Sequence, residues 1–332
     1  LALLGKRMRL RLASFNMENL DLPPRAPVPF EQRLVVLRPQ LERLDADILC
    51  LQEVNSQYPQ EGGKTRSLIA LDMLLEGASY AEFHRACTQS PHARGPMDVH
   101  NLVILSRWPL QNIREIRNAY VTPPRYRAAT ADVSAEEPVV WDRPILAAEA
   151  ALPEGRRLHL FNVHLRAPRA APIPGQKRGA ETWNSVGGWA EGYFIAAIKR
   201  TGQALELRLA IEELFDEDPR ALIAVCGDFN AGLDETPLAI ALASEEDTGN
   251  GALAGRTLAA LERSIDSSRR FTVLHHGRPE MLDHILTSRA LLGRFRGFEA
   301  HNEMLSDEVI APIRVDRPAE SFHAPVAAEF VF

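Results

Sequence analysis

Short apolar runs of strand length recur along this 332-residue chain, and each one stops at a polar side chain. The sharpest case runs from Leu222 to Cys226 and closes on Gly227, after which Asp228 and Asn230 follow two residues apart. Side chains two apart on extended backbone face the same way, so a carboxylate and a carboxamide leave this strand end together. Asp, Asn and Gly are also ordinary turn residues, and taken alone the stretch reads equally well as an Asx turn.

The other runs repeat the pattern. Leu10 to Phe15 ends in Asn16, and Ile48 to Leu51 ends in Gln52 and Glu53. A strand from Asn101 to Leu105 follows His100. Residues 145–151 and 158–163 read as a hairpin around Pro153-Glu154-Gly155, and its second strand ends in His164. Asp283 sits in the run 281–286, and His323 precedes the terminal strand 327–332. Between these runs, Leu34, Leu37, Leu41 and Leu44 mark an amphipathic helix that Pro39 is expected to kink or restart. Further helices are expected over 65–75 and through Ile198, Leu205 and Leu209 to Phe215. The alternation is that of an α/β protein, in which ligands gather outside the carboxyl ends of strands. With no internal repeat or linker, residues 1–332 read as one domain. Met8 fits a natural start, which would leave residues 1–7 outside it.

A net charge of -6 gives no blanket attraction to nucleic acid, so a polyanion would need a local basic patch or a bridging cation. Cys50, Cys87 and Cys226 form no Cys-x-x-Cys pair and predict neither a disulfide framework nor a zinc site. No stretch approaches the roughly twenty apolar residues of a membrane helix. The expectation is a cytoplasmic protein without membrane insertion or an obligate protein partner, although an exported chain trimmed of its leader would read the same way.

Carboxylates and amides suit magnesium or manganese, and together with imidazoles they match metal-assisted attack of water on a phosphate ester. Glu53 is the first choice of metal ligand, with Asn16 to ligate or to bind phosphate; Asn101 and Arg166 are further candidates for holding substrate. Asp283 and His323 are the expected base pair, although some forty residues separate them and spacing alone cannot join them. Asp228 and Asn230 are assigned to positioning water and phosphate, and His164 to charge on the phosphoryl or leaving oxygen. The competing readings are a surface carboxylate for Glu53 and a satisfied strand-end imidazole for His164. Trp183 and Trp189 are expected to pack or to cover the site, and Arg125, Arg127, Arg166 and Arg169 to sit in loops on its side.

In order, Ser14-Phe15-Asn16, Leu51-Gln52-Glu53-Val54, Asn162-Val163-His164-Leu165, Gly227-Asp228-Phe229-Asn230, Leu282-Asp283-His284-Ile285 and His323-Ala324-Pro325-Val326 resemble the endonuclease/exonuclease/phosphatase superfamily. The resemblance spans Leu10 to Phe332. It implies a four-layered α/β sandwich, with two mixed β-sheets packed face to face and flanked by helices, and magnesium- or manganese-dependent cleavage of phosphate esters. One position departs from it: the family's last motif usually reads Ser-Asp-His, and here Phe322 stands between Ser321 and His323, where a phenyl ring cannot ligate a cation. The expected activity is a phosphodiesterase, with nucleic acid as substrate on two grounds: the loop arginines, and the lack of an exposed apolar tract. The alternatives are a phosphomonoesterase, a lipid phosphodiesterase, and a silent binding protein favoured only by Phe322.

Overall fold

The computed structural model describes residues 8–23, 28–59, 63–132, 135–179, 182–310 and 319–332. Residues 1–7, which the reading of Met8 as the start sets aside, fall outside these ranges, as do residues 24–27. In the first half of the chain the strands are β1 (Arg9–Leu20), β2 (Ile48–Val54), β3 (His84–Cys87), β4 (Asn101–Ser106), β5 (Leu110–Ile116), β6 (Arg125–Arg127), β7 (Glu136–Pro138), β8 (Ile145–Ala151) and β9 (Arg157–His164). The second half adds β10 (Leu222–Asp228), β11 (Leu258–Ala260), β12 (Val273–His275), β13 (Arg278–Glu280), β14 (Asp283–Ser288), β15 (Phe295–Ala300) and β16 (Val326–Val331). The main helices are α1 (Phe30–Leu44), α2 (Ile69–Leu75), α3 (Val186–Glu217) and α4 (Thr236–Leu242).

Two six-stranded sheets result, ordered β15-β16-β1-β2-β4-β3 and β11-β14-β10-β9-β8-β5. Each is mixed, with one parallel pair at its centre, β1 with β2 and β9 with β10. Leu10, Leu12, Ile48 and Cys50 of the first sheet pack against Leu146, Leu160, Ala224 and Cys226 of the second. The alternate residues face outward: Ala13 and Phe15 meet Leu37 and Leu41 of α1, while Ile223 and Val225 meet Leu207 and Ile211 of α3. Burial on both faces is why these strands read as unbroken apolar runs rather than as alternating ones. The layers run helix, sheet, sheet, helix, the four-layered sandwich expected from the sequence.

Three local expectations are corrected. α1 runs through Pro39 as one helix, because Phe30, Leu37, Leu41 and Leu44 bury one stripe and offset the roughly 3 kcal/mol that an internal proline costs. α2 begins at Ile69 rather than near Thr65. α3 begins at Val186, about three turns before Ile198, capped by the Ser185 hydroxyl accepting from the Gly188 N–H at 2.9 Å. Its early start places Val186, Trp189, Tyr193 and Phe194 at the surface, so an exposed apolar tract exists after all. Among the described residues, no helix is long and apolar enough to cross a membrane.

The topology sets up one functional edge. The parallel strands β1, β2, β9 and β10 all finish there, and their antiparallel neighbours β4, β14 and β16 begin there.

Candidate active site

Where the ladders end, the backbone leaves the strand region. Glu18, Asn19, Glu53, His100 and Asn230 all have positive φ, with slips in register of β1 against β2 and of β2 against β4 at the same level. Such irregularities re-aim side chains. The β1 slip is held by Arg33 of α1, whose guanidinium donates to the carbonyls of Met17 at 2.7 Å, Glu18 at 2.9 Å and Asn19 at 3.3 Å. Side chains from both sheets then meet around a pocket of about 430 Å3, whose lining includes Glu18, Glu53, His100, Arg143, His164, Asp228, Asn230 and His323.

Asp228, at the end of β10, lies beside His164 in the parallel ladder and opposite Asp283 in the antiparallel one. Its carboxylate accepts from the Asn230 N–H at 2.8 Å, from the Asn230 carboxamide at 3.0 Å and, across the two sheets, from the Asn16 carboxamide at 3.0 Å. Burial pushes Asp228 up to about 7, against the charge of His323. His323 Nδ1 donates to Asp283 Oδ2 at 2.8 Å, and its Nε2 stands 4.0 Å from Asp228. Burial alone would depress His323, but Asp283 and then Asp228 outweigh it and push it up to about 10. His164 is driven well below its ordinary value by burial and by the charge of Arg143, so it is neutral.

Glu53 faces His100 Nδ1 and His164 Nε2 at 3.7 Å each, and its other oxygen accepts from the Asn19 N–H at 3.0 Å. Burial pushes its carboxyl upward, but the imidazole of His100 and the charge of Arg143 prevail and hold it well below the usual range. Glu18 accepts from the Phe322 N–H at 2.6 Å; burial pushes it up to about 7, with the Glu53 charge acting in the same direction.

The donor set fits a divalent cation. Glu53 and Glu18 bring two carboxylates to one pocket, where unbalanced negative charge is costly, and the buried His100 Nδ1 and His164 Nδ1 have no hydrogen-bond partner among the described residues. The side-chain donors of Glu53, His100 and His164 lie within 4.8 Å of one another, as do those of Asp228, Asp283 and His323.

The edge gathers Glu53, His164, Asp228, Asn230, Asp283 and His323 as expected, and two candidates do other work. Asn16 Oδ1 accepts from the Glu18 N–H at 2.9 Å while its amide holds Asp228, so the carboxamide positions Asp228 instead of offering its oxygen to the pocket. Asn101 is fully buried: its amide donates to the carbonyls of Met97 and Val54, and its oxygen accepts from the Met97 N–H and the Thr88 hydroxyl. It shapes the turn that presents His100 and is not part of the pocket lining. Arg166 and Arg169 line the pocket, whereas Arg125 and Arg127 lie on β6 away from it, and neither Trp183 nor Trp189 covers it. Glu18, His100 and Arg143 are pocket residues absent from the sequence-based candidates. The nearest sequence signals were the polar residues after Asn16, the His100-Asn101 pair, and Asp142-Arg143 just before Pro144.

A model of the endonuclease/exonuclease/phosphatase family matches residues 13–307. The chain belongs to that family. Among solved structures it is similar to a family member from Bacteroides thetaiotaomicron, with 15% identity, 99% of each chain covered and a TM-score of 0.57. It is likewise similar to truncated Caenorhabditis elegans TDP2, at 14% identity, 98% of each chain and a TM-score of 0.55. An AP endonuclease from Archaeoglobus fulgidus follows at 14% identity, covering 97% of this chain and 99% of that one, with a TM-score of 0.52. At such identities the likeness shows the fold alone. No curated protein matches the chain.

Proposed function

We propose that the protein is a metal-dependent phosphodiesterase that hydrolyses its substrate by in-line attack of water. The observation that carries this reading is the Asp283–His323 pair standing beside Asp228 in the pocket that also holds Glu53. Their proton affinities divide the labour differently from the expectation. Asp228, at about 7, is matched to taking a proton from water near neutral pH. His323, at about 10, keeps its proton and offers charge to a phosphoryl oxygen while Asp283 fixes its orientation. Neutral His164 can donate only a hydrogen bond. Arg143, half-buried in the pocket lining, supplies a second fixed positive charge.

Glu53 and Glu18 would hold magnesium or manganese, which when bound supplies charge neutralisation for the phosphate. The imidazoles beside Glu53 favour manganese of the two. Of the two grounds for nucleic acid, the arginines remain in part and the lack of an apolar tract does not, so the reading stops at the diester.

The test is turnover of a chromogenic phosphodiester and of plasmid DNA, each with magnesium, manganese or chelator. Cation-dependent hydrolysis that falls at least about 100-fold in Asp228→Asn and in Glu53→Gln is expected. Chelator-resistant turnover, or an undiminished rate in either variant, overturns the mechanism. A rate on DNA that falls steeply with salt would add nucleic acid to its substrates.

A further inference from the structure

Beside the catalytic pocket lies a second cleft, of about 400 Å3, between the β6–β7 hairpin, residues 171–174 and α3. Its walls include Tyr126, Val139, Val140, Ala171, Ile173 and Ile195. Two links join it to the pocket. Lys199, on the cleft wall, places Nζ 2.6 Å from Asp142 Oδ1, and Asp142 also pairs with Arg166 in the pocket lining. Arg169 lines the pocket and Ala171, two residues later, lines the cleft.

The cleft is built in advance. Glu191 of α3 accepts from the Tyr126 hydroxyl at 2.8 Å, the Thr130 N–H at 2.8 Å, and the Ala129 N–H and Thr130 hydroxyl at 2.5 Å each. Fifteen residues further along α3, Glu206 accepts from the N–H groups of Asn118, Ala119 and Tyr120 and from Trp141 Nε1 at 2.7 Å. These two carboxylates clamp the excursion between β5 and β8 onto the helix, so the cavity does not wait on a ligand to form.

The walls select the occupant. Side chains of Ala, Val, Ile and Pro dominate, the Tyr126 hydroxyl is spent on Glu191, the Lys199 ammonium is spent on Asp142, and the one other polar side chain of the lining, Glu137, is an exposed carboxylate that repels a nucleic-acid backbone. Phe194 meets Tyr126 edge-on, with ring centroids 5.5 Å apart, and on the same helix Trp189 and Tyr193, with centroids 5.7 Å apart, present further apolar surface. Phe194 is 49% exposed and Trp189 47%, a tract that a protein acting only on small hydrophilic esters has no reason to keep. We infer that the cleft holds the hydrocarbon chain of an amphiphilic phosphodiester whose phosphate lies in the catalytic pocket. The inference rests on the phosphodiesterase reading and gives that activity its substrate class.

The test uses p-nitrophenyl phosphodiesters whose second ester is methyl, butyl or octyl, dispersed below their micellar concentrations. In each, water oxygen bonds to phosphorus, the bond to the p-nitrophenyl oxygen breaks, and the water proton passes through Asp228 to solvent while p-nitrophenolate leaves. A fully buried methylene is worth about fourfold, so even partial burial raises kcat/KM at least about tenfold from methyl to octyl. Val140→Asp and Ile195→Asp should flatten that rise while leaving the methyl ester unchanged, which also shows that the variants fold. A flat series in the unaltered protein, or a full rise in both variants, overturns the inference. Loss of turnover even for the methyl ester overturns the phosphodiesterase reading instead; calorimetric binding of the methyl and octyl esters then judges the cleft by the same slope and the same variants. Presenting the octyl ester in phosphatidylcholine vesicles separates the two sources of such a chain: Trp189→Ala with Phe194→Ala slows vesicle turnover if the source is a lipid surface and leaves it unchanged if the source is a dispersed molecule.

Discussion

His323 Nδ1 lies 2.8 Å from Asp283 Oδ2 although 40 residues separate them and they approach on different sheets, His323 just before β16 and Asp283 at the head of β14. The contact exists because each strand runs antiparallel to one that ends at the functional edge, β16 to β1 and β14 to β10. Asp283 is fully buried, and its N–H is held by the Thr272 hydroxyl at 3.1 Å, so the backbone that carries the carboxylate is fixed before substrate arrives.

The pair should therefore behave as a unit. Asp283→Asn and His323→Gln are each expected to lower kcat by about 100- to 10,000-fold, and the double variant should lose little more than the worse single one. Steady-state kinetics on one phosphodiester checks this. Losses that multiply would show two independent residues.

Gly227 makes the approach of β10 to β9 possible. Its φ is 144°, and a Cβ there would stand 2.0 Å from the Val163 carbonyl oxygen, a backbone atom that cannot step aside. Gly227→Ala should destabilise the fold by at least about 2 kcal/mol in urea denaturation. A variant as stable as its parent would mean that the two strands can part without cost.

His284, beside Asp283 in the chain, makes no contact with the pocket but pins the loop after Asn230. It is fully buried, with Nδ1 2.5 Å from Glu262 Oε1 and Nε2 donating to the Ala231 carbonyl at 2.8 Å. Burial alone would lower its pKa; the Glu262 carboxylate outweighs burial and raises it. A raised histidine stabilises fully below its unfolded value near 6.5 and loses that contribution as pH climbs through the folded value. Removing one partner of a buried pair costs about 3–5 kcal/mol. His284→Ala should show a gap of that order against the parent at pH 6, narrowing by pH 9, in denaturation curves at the two values. A gap that widens with pH would contradict the pairing.

Much of this arrangement was legible because the end of an apolar run is a local property, and seven polar strand-end residues could be named before their meeting place was known. Which of two neighbouring residues turns into the pocket is not local. Glu53 and His100 have φ of 57° each, and this left-handed backbone breaks the alternation on which facing is read. Hence His100 lines the pocket where Asn101 was expected. The early start of α3 is hidden in the sequence by Gly187, Gly188 and Gly192, because glycine disfavours a helix interior. At Gly192 the helix passes so close to residues 170–171 that a Cβ would stand 2.3 Å from the Ala171 carbonyl oxygen. That packing, which sequence periodicity does not record, is what the glycine serves.

Phe322 was the one position where the family pattern failed, and Glu18 changes what that failure means. The Phe322 N–H donates to Glu18 Oε2 at 2.6 Å, and both residues line the pocket with Glu53, so a second carboxylate reaches the pocket from β1 rather than from residue 322. Glu18→Gln should raise the manganese concentration needed for half-maximal activity by roughly tenfold, the loss of one charged ligand. Phe322→Asp should lower that concentration or raise the maximal rate, because the added carboxylate shares the site with Glu18. Cation titrations of activity at fixed substrate, run with manganese and with magnesium, measure both. An unmoved midpoint in Glu18→Gln would remove Glu18 from the ligand set, and a Phe322→Asp variant with neither change would show that the site was complete without a carboxylate at that position.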